Sequence, residues 1–160
     1  MLIAIVRTLL LRDLASFQQE LEAYPDDRLI WAIPPGIANS AGTLALHAAG
    51  NLQHFIGARL GGTGYVRDRP AEFGRRDVPS IELVAELARA SEAVAAALST
   101  LDPAVLETEH PDSFTNGKKV SVGVLLGHLA THLTYHLGQV DYHRRLVTGQ
   151  GAIPGVVGVP

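Results

Sequence analysis

The 160-residue chain is long enough for one domain with a single buried core, and its lack of cysteine excludes disulfides, thiolate metal sites and cysteine nucleophiles. The formal net charge is −3 and the basic residues are scattered, so we predict no nucleic-acid partner. No apolar run reaches the roughly 18 to 20 residues that span a bilayer, so we predict no membrane partner and a cytoplasmic location.

Hydrophobic residues recur at helical spacing in four segments, and turn-forming residues separate them. The first segment stops before Pro25, and the second begins after a candidate N-cap at Ser40 and stops at Gly61. The third starts at Ser80, which is predicted as its N-cap, and the fourth ends at Gly149. The hydrophobic content is mostly Ala, Leu and Val, which suits closely packed helices. We therefore predict one all-α domain over residues 1–160, a four-helix bundle with helices at about 3–23, 40–60, 80–101 and 120–148.

The connecting segments differ in character. Residues 26–39 contain two prolines and are predicted as a connection whose Trp31 and Ile33 fold onto the core. Asn116-Gly117 marks a turn before the last helix. The apolar tail, residues 149–160, cannot be helical, and we expect it to lie along the bundle or across a subunit interface.

A long loop separates the second and third predicted helices. It is rich in charged residues, which predicts an ordered, hydrogen-bonded excursion from the bundle. Arg67, Asp68, Arg69 and Glu72 fit a network of structural ion pairs better than a grip on an acidic cosubstrate. We keep the second interpretation as the alternative.

Histidines are the unusual feature of the fourth predicted helix. His128, His132 and His136 recur every fourth residue, so each lies about 40° further round the axis than the last. His136 falls nearly on the apolar stripe, His132 at its edge and His128 about a quarter turn further round. The pair His132 and His136 is therefore best placed to hold one metal ion from inside a bundle.

A third ligand should come from a facing helix. His47 and His54 are seven residues apart on the second predicted helix and share a face, and periodicity favours His47 only slightly. A single helical histidine is more often an ordinary core or surface residue. Several buried imidazoles without partners would each cost about 1–3 kcal/mol, however, and a shared metal ion removes that cost.

Two segments resemble the DinB-like superfamily. Residues 128–139, in which two histidines four apart precede a Gly-Gln pair, resemble its C-terminal helix motif, and residues 46–52 resemble its second-helix histidine segment. The resemblance covers nearly the whole chain and implies a four-helix bundle that is often dimeric. It makes His47, His132 and His136 the ligands of a divalent metal ion. We expect zinc first, with nickel, iron or manganese as alternatives, and a homodimer.

The family includes thiol-dependent transferases and isomerases, and three imidazoles leave a coordination position open for substrate. We therefore expect a metal-dependent S-transferase that activates a low-molecular-weight thiol for a small-molecule substrate. The alternatives are a metal-dependent hydrolase, with His54, His128 or His143 as general base, and a non-catalytic, stress-related metal-binding module. Gln139 and Asn51 are candidates to orient the ligands, and Gln139 joins His54 and His128 as a catalytic candidate.

The remaining histidines carry weaker expectations. His143, with Arg144 and Arg145, is expected at the solvated end of the last helix, where cations suit the helix C-terminus. His110 lies in a turn segment. We predict no special role for it.

Overall fold

The computed structural model describes residues 1–112 and 117–158, so Asn116 of the predicted turn and the last two residues lie outside the described chain. Over these ranges the protein is all-helical, as predicted, with a single isolated bridge between Glu109 and Ser121 in place of any sheet. None of the described helices is long and apolar enough to cross a bilayer. In chain order the α-helices are α1 (Leu2–Glu22), α2 (Asp27–Ile30), α3 (Ala41–Leu52), α4 (Arg69–Gly74), α5 (Ser80–Thr100) and α6 (Val122–Thr148).

Three of the four long helices, α1, α5 and α6, agree with the predicted segments to within two residues. The second predicted helix, 40–60, is α-helical only to Leu52, and a π-helix continues it to Ala58. The helix ends have identifiable causes. Ser40 caps α3, since its hydroxyl accepts a hydrogen bond from the backbone N–H of Thr43. Gly149 ends α6 with a φ of 70°, the left-handed conformation that glycine adopts without strain. The predicted cap at Ser80 is wrong, because Pro79 occupies the cap position and Ser80 is already helical.

Two short helices and two non-α turns lie between the long helices. α2 interrupts the connection before Ser40, and α4 gives the long loop the order expected of it. A π-helix, Gln53–Ala58, continues α3, and a 3₁₀-helix, Pro103–Glu107, follows α5. Short elements of this kind fall below the length at which hydrophobic periodicity can be read from a sequence.

The core lies between the four long helices, because α1 and α3 each pack against both α5 and α6. Each long helix buries an apolar stripe, and each fully buried leucine contributes about 1.5–3 kcal/mol relative to an exposed one. The antiparallel contact of α3 with α6 matters most for the site, because the histidines of both helices face it. The stripe of α5 is Leu83, Leu87, Ala90, Val94 and Leu98, as periodicity predicts.

The connections fold onto the bundle only in part. Trp31 is buried and its indole N–H donates to the backbone oxygen of Val78 at 3.1 Å. Ile33 is 52% exposed, so its predicted burial is wrong; the chain leaves the core after Trp31 towards a proline pair. The C-terminal tail lies along α1, where the Val157 N–H donates to the hydroxyl of Ser16 at 3.3 Å.

His143 and Arg144, near the C-terminal end of α6, are buried, so the solvated position predicted for them is wrong, whereas Arg145 keeps 40% of its side chain exposed. His143 contacts the hydroxyl of Tyr24 at 2.7 Å and the backbone oxygen of Ala32 at 2.8 Å. Arg144 is fully buried, is paired with Glu20, and donates to the backbone at the start of the tail. Both residues continue the buried stripe of α6, and these partners satisfy their polar groups inside the core.

Candidate metal centre

Three histidines from α3 and α6 come together on one side of the bundle. Their ligand nitrogens all lie within 4.8 Å of one another, an arrangement that could hold a metal ion. The Nε2 atoms of His132 and His136 are 3.0 Å apart. The ring of His47 lies edge-on to both, with its centroid 5.3 Å from that of His132 and 5.2 Å from that of His136. The histidine trio is therefore His47, His132 and His136.

Helix geometry explains how this cluster forms. Four residues along an α-helix advance about 6 Å and turn about 40°, so His132 and His136 stack on one face. Leu133 and Leu137, which are fully buried, fix that face against the core. His47 lies in a stretch of α3 whose residues are all buried and mostly small, which allows α6 to approach closely.

The outer nitrogen of His47 is held by a carboxylate. Its Nδ1 lies 3.0 Å from Oε2 of Glu72 on α4. Arg67 binds the same carboxylate with both arms of its guanidinium, Nε to Oε1 at 2.6 Å and Nη2 to Oε2 at 2.8 Å. An ionised carboxylate only accepts hydrogen bonds, so Nδ1 of His47 is the donor in this contact and Nε2 is the nitrogen left for a ligand.

His136 is held in the same way by an amide. Its Nδ1 donates to Oε1 of Gln139 at 2.7 Å, which leaves Nε2, the nitrogen that faces His132, for a ligand. Such partners on the outer nitrogen are the usual companions of metal-bound imidazoles. Gln139 thus contacts the outer nitrogen of His136, whereas Asn51 is buried and its Oδ1 accepts no hydrogen bond from the described residues.

Burial and neighbouring groups shift the pKa values of His132, His136 and Glu72. Burial, followed by the nearby imidazoles of His136 and His47, lowers the pKa of His132 to about 4. Burial also lowers the pKa of His136, and the hydrogen bond with Gln139 only partly opposes it. Burial alone would raise the pKa of Glu72, but its hydrogen bonds to His47 and Arg67 outweigh burial and lower it. The lowered pKa values favour the neutral, metal-binding form of His132 and His136, and the lowered pKa of Glu72 favours the carboxylate behind His47.

The spacing of the nitrogens suits a divalent ion. With metal–nitrogen bonds of about 2.1 Å, two ligands lie about 3.0 Å apart at a right angle and about 3.4 Å apart at the tetrahedral angle. The separation of 3.0 Å between the Nε2 atoms of His132 and His136 falls at the first value and needs only a small opening for the second. The residues present therefore fit the group that the sequence predicts.

The other histidines lie outside the histidine trio. His54 is bound to Asp112 at 2.7 Å, and Arg59 pairs with the same carboxylate at 2.9 Å. His128 is exposed on α6, with its ring centroid 5.5 Å from that of His132. His110, predicted to lie in a turn segment, is fully buried. The structure thus separates the two candidates on the second helix, since His47 reaches the cluster and His54 does not.

The charged residues of the long loop divide into separate roles. Arg67 and Glu72 form the predicted ion pair, and the side chain of Asp68 caps α4. The guanidinium of Arg69 lies 5.0 Å above the ring of Phe73, which in turn packs against His47 with centroids 4.9 Å apart. Phe73 is a contact that the sequence analysis missed.

A cleft opens about one helical turn from the histidine trio, between α6 and the segment before α3. It has a volume of about 450 Å³, within the range of small-molecule pockets. Leu44 lies three residues before His47, and Gln139 lies three residues after His136 and contacts it. Among the residues that the structure describes, the lining contains no carboxylate, ammonium or guanidinium: Gly36, Ile37, Ala38, Asn39, Leu44, Gln139, Tyr142, His143 and Leu146.

The comparisons with known proteins point to one family. A family model described as the DinB superfamily matches residues 7–140, which include all four long helices in whole or in part and the complete histidine trio. No curated protein and no solved structure matches the chain.

Proposed function

Because the chain belongs to the DinB superfamily, we propose that it binds one divalent metal ion through His47, His132 and His136. The observation that carries this proposal is the convergence of three imidazole nitrogens within 4.8 Å, with the outer nitrogens of two rings already held by Glu72 and Gln139. We propose zinc as the resident ion. Nickel, iron and manganese accept the same ligands, and selection among them depends on geometry and supply.

For the activity we propose a metal-dependent S-transferase that uses a low-molecular-weight thiol. A divalent ion in such a site lowers the pKa of a thiol or a water in its open position towards neutrality. In the proposed reaction the thiol loses its proton, its sulfur bonds to an electrophilic carbon, and the leaving group departs with the bonding electrons. His128, 5.5 Å from His132 between ring centroids, is the candidate to accept the proton.

The electrophile is the second substrate, and the cleft beside the histidine trio is its proposed binding site. We propose that the apolar part of the electrophile occupies the cleft lined by Leu44, Tyr142 and Leu146, since that surface is uncharged and largely apolar. Gln139 joins the cleft to the histidine trio through its hydrogen bond with His136, so a bound molecule lies next to the metal centre. The homodimer expected from the family resemblance stays a prediction that sedimentation equilibrium tests.

Metal analysis of the purified protein tests the metal site. We expect about one equivalent of metal in the wild type and none in a variant with all three histidines of the trio changed to alanine. The matched control changes His54 and His128 to alanine, because these histidines lie on the same two helical segments but outside the trio. Metal retained by the triple variant, or lost equally from the control, contradicts the assignment.

Turnover of an electrophile with a panel of cellular thiols tests the activity. We expect thiol-dependent product in the metal-loaded wild type and its loss in His132→Ala. Product formation without added thiol indicates the hydrolase instead, with water as nucleophile. A metal that stabilises the fold while neither reaction occurs indicates the non-catalytic module, because the trio joins α3 to α6 and a bound ion would staple them.

A further inference from the structure

Glu72 is a buried carboxylate with a specific partner on the metal centre. Only 5% of it is exposed, although glutamate is rarely buried unless it is paired. It lies on α4, 25 residues from His47 in sequence, and its Oε2 is 3.0 Å from the outer nitrogen of that ring. The hydrogen bond is on the Nδ1 side, so Glu72 is placed behind the histidine and not among the ligand atoms.

Arg67 fixes the orientation of this carboxylate. Its Nε and Nη2 bind separate oxygens of Glu72, the two-armed geometry that holds a carboxylate in one plane. Both side chains of the pair are nearly buried, at 12% and 5% exposure. Water therefore competes little for these hydrogen bonds, and the carboxylate has little freedom to turn away from His47.

Gly50 provides the space that Glu72 occupies. A Cβ at this position of α3 would lie 2.4 Å from Oε1 and 2.9 Å from Cδ of Glu72. Glycine inside a helix costs about 1 kcal/mol relative to alanine, so Gly50, two residues before α3 ends at Leu52 and passes into the π-helix, has a local cost. The opening it leaves is filled by the carboxylate one helical turn from His47.

The start of α4 sets where Glu72 falls. The side chain of Asp68 accepts a hydrogen bond from the N–H of Ala71 at 3.0 Å, which caps α4 four residues before the glutamate. α4 packs against α3, so the capped turn delivers Glu72 to the back of His47. The N-cap at Asp68, the ion pair with Arg67 and the space at Gly50 therefore all support the contact between Glu72 and His47.

We propose that Glu72, aligned by Arg67 and admitted by Gly50, is the positioning residue of the metal centre. It holds His47 in the Nδ1–H tautomer, so that the Nε2 lone pair is available to an ion shared with His132 and His136. This inference rests on the proposed metal binding. Partners of this kind change metal affinity by roughly 10- to 100-fold.

Competition with a chromophoric chelator measures the effect as a zinc dissociation constant, independently of any activity. We expect Glu72→Gln to weaken zinc binding by about 10-fold or more, since the amide keeps the size but loses the charge and the two-armed pair. Gly50→Ala should weaken it to a similar degree, because the new methyl group displaces the carboxylate. The double variant should be no weaker than the worse single variant.

Gly127→Ala is the matched control, because a Cβ there meets nothing within 4 Å. It should leave the dissociation constant unchanged. Substituting cobalt for zinc adds a second readout: its visible absorption should shift in Glu72→Gln and Gly50→Ala and not in the control. If Glu72→Gln does not fold, Arg67→Gln tests the same contact with the carboxylate retained.

The outcomes separate this inference from the proposed function. A wild type that binds no zinc contradicts the metal site itself. A wild type that binds zinc, with the same dissociation constant in Glu72→Gln and Gly50→Ala, overturns the role of Glu72. Loss of thermal stability in these variants without a change in zinc affinity also overturns it, since the contact would then only support the fold.

Discussion

Replacing His132 with glutamine should flatten the acid sensitivity of the metal-free protein. Burial and the neighbouring imidazoles lower the pKa of His132 to about 4, compared with 6.5 for an unperturbed imidazole. Between these two values the unfolded chain binds a proton at this residue and the folded protein does not. Stability is therefore complete above about pH 6.5 and falls as the pH is lowered towards 4.

The size of the effect follows from the same two values. At pH 4.5 the linkage relation gives an upper limit of about 2.5 kcal/mol lost relative to pH 7.5. His132 is only partly buried, so solvent screening should reduce the loss to about 1–2 kcal/mol. His136, whose pKa is also lowered by burial, acts in the same direction, so His136→Gln should show a smaller or comparable flattening.

Urea denaturation with a chelator present, at pH 7.5 and pH 4.5, measures this difference. Other groups titrate over the same range, so the informative quantity is the change in free energy of unfolding in the wild type minus that in His132→Gln. His128→Gln is the control, because His128 is exposed on the same helix and is only a minor cause of the lowered pKa of His132; this variant should keep most of the wild-type pH dependence. Equal pH dependence in the wild type and in His132→Gln would refute the argument.

Three further outcomes follow from the structure. Leu146→Lys should weaken binding of an uncharged aromatic probe in the cleft at least several-fold, as measured by fluorescence titration. Val124→Lys is the control, because Val124 is equally exposed on α6 but lies outside the cleft; equal effects of the two substitutions would refute binding in the cleft. Arg144→Met should cost about 3–5 kcal/mol by urea denaturation, since it strands the buried carboxylate of Glu20, and adding Glu20→Gln should recover part of it. Zinc at about 100 times its dissociation constant should stabilise the wild type by about 2.7 kcal/mol, and an unchanged melting temperature would count against a native-state site.

The long helices could be predicted from sequence because each carries a continuous apolar stripe. α5 is the clearest case, since its buried residues follow helical spacing along the whole element and its ends lie at Ser80 and Thr100. Short elements could not be predicted in this way. α4 is only six residues long, and its sequence signals are an N-cap at Asp68 and Pro70 in the first turn. These signals also fit a simple turn, and the packing of α4 against α3 distinguishes the two.

His143 and Arg144 illustrate an error of weighting. His143 lies seven residues after His136, and Arg144 lies four residues after the buried Val140, so both fall on the inward stripe of α6. Because basic residues suit a helix C-terminus, their position near the end of α6 favoured a solvent-exposed interpretation. Periodicity was the better guide, because Tyr24 and Glu20 satisfy the polar groups of these two residues inside the core. Those partners come from α1 and the residues that follow it, so the sequence of α6 alone cannot indicate them.

The choice between His47 and His54 depended on a quantity that one sequence does not contain. The two residues share a face of the second helical segment but lie about 10 Å apart along its axis, so only one can lie level with His132 and His136. Which one does so is set by how far α3 slides along α6, and core packing between the helices decides that register. With His47 at the level of the histidine trio, His54 falls about two turns away and pairs with Asp112. Gly50 lies on α3 one turn from His47 and leaves the space in which Glu72 contacts that histidine. The axial position of α3 therefore determines both the histidine trio and its supporting contacts.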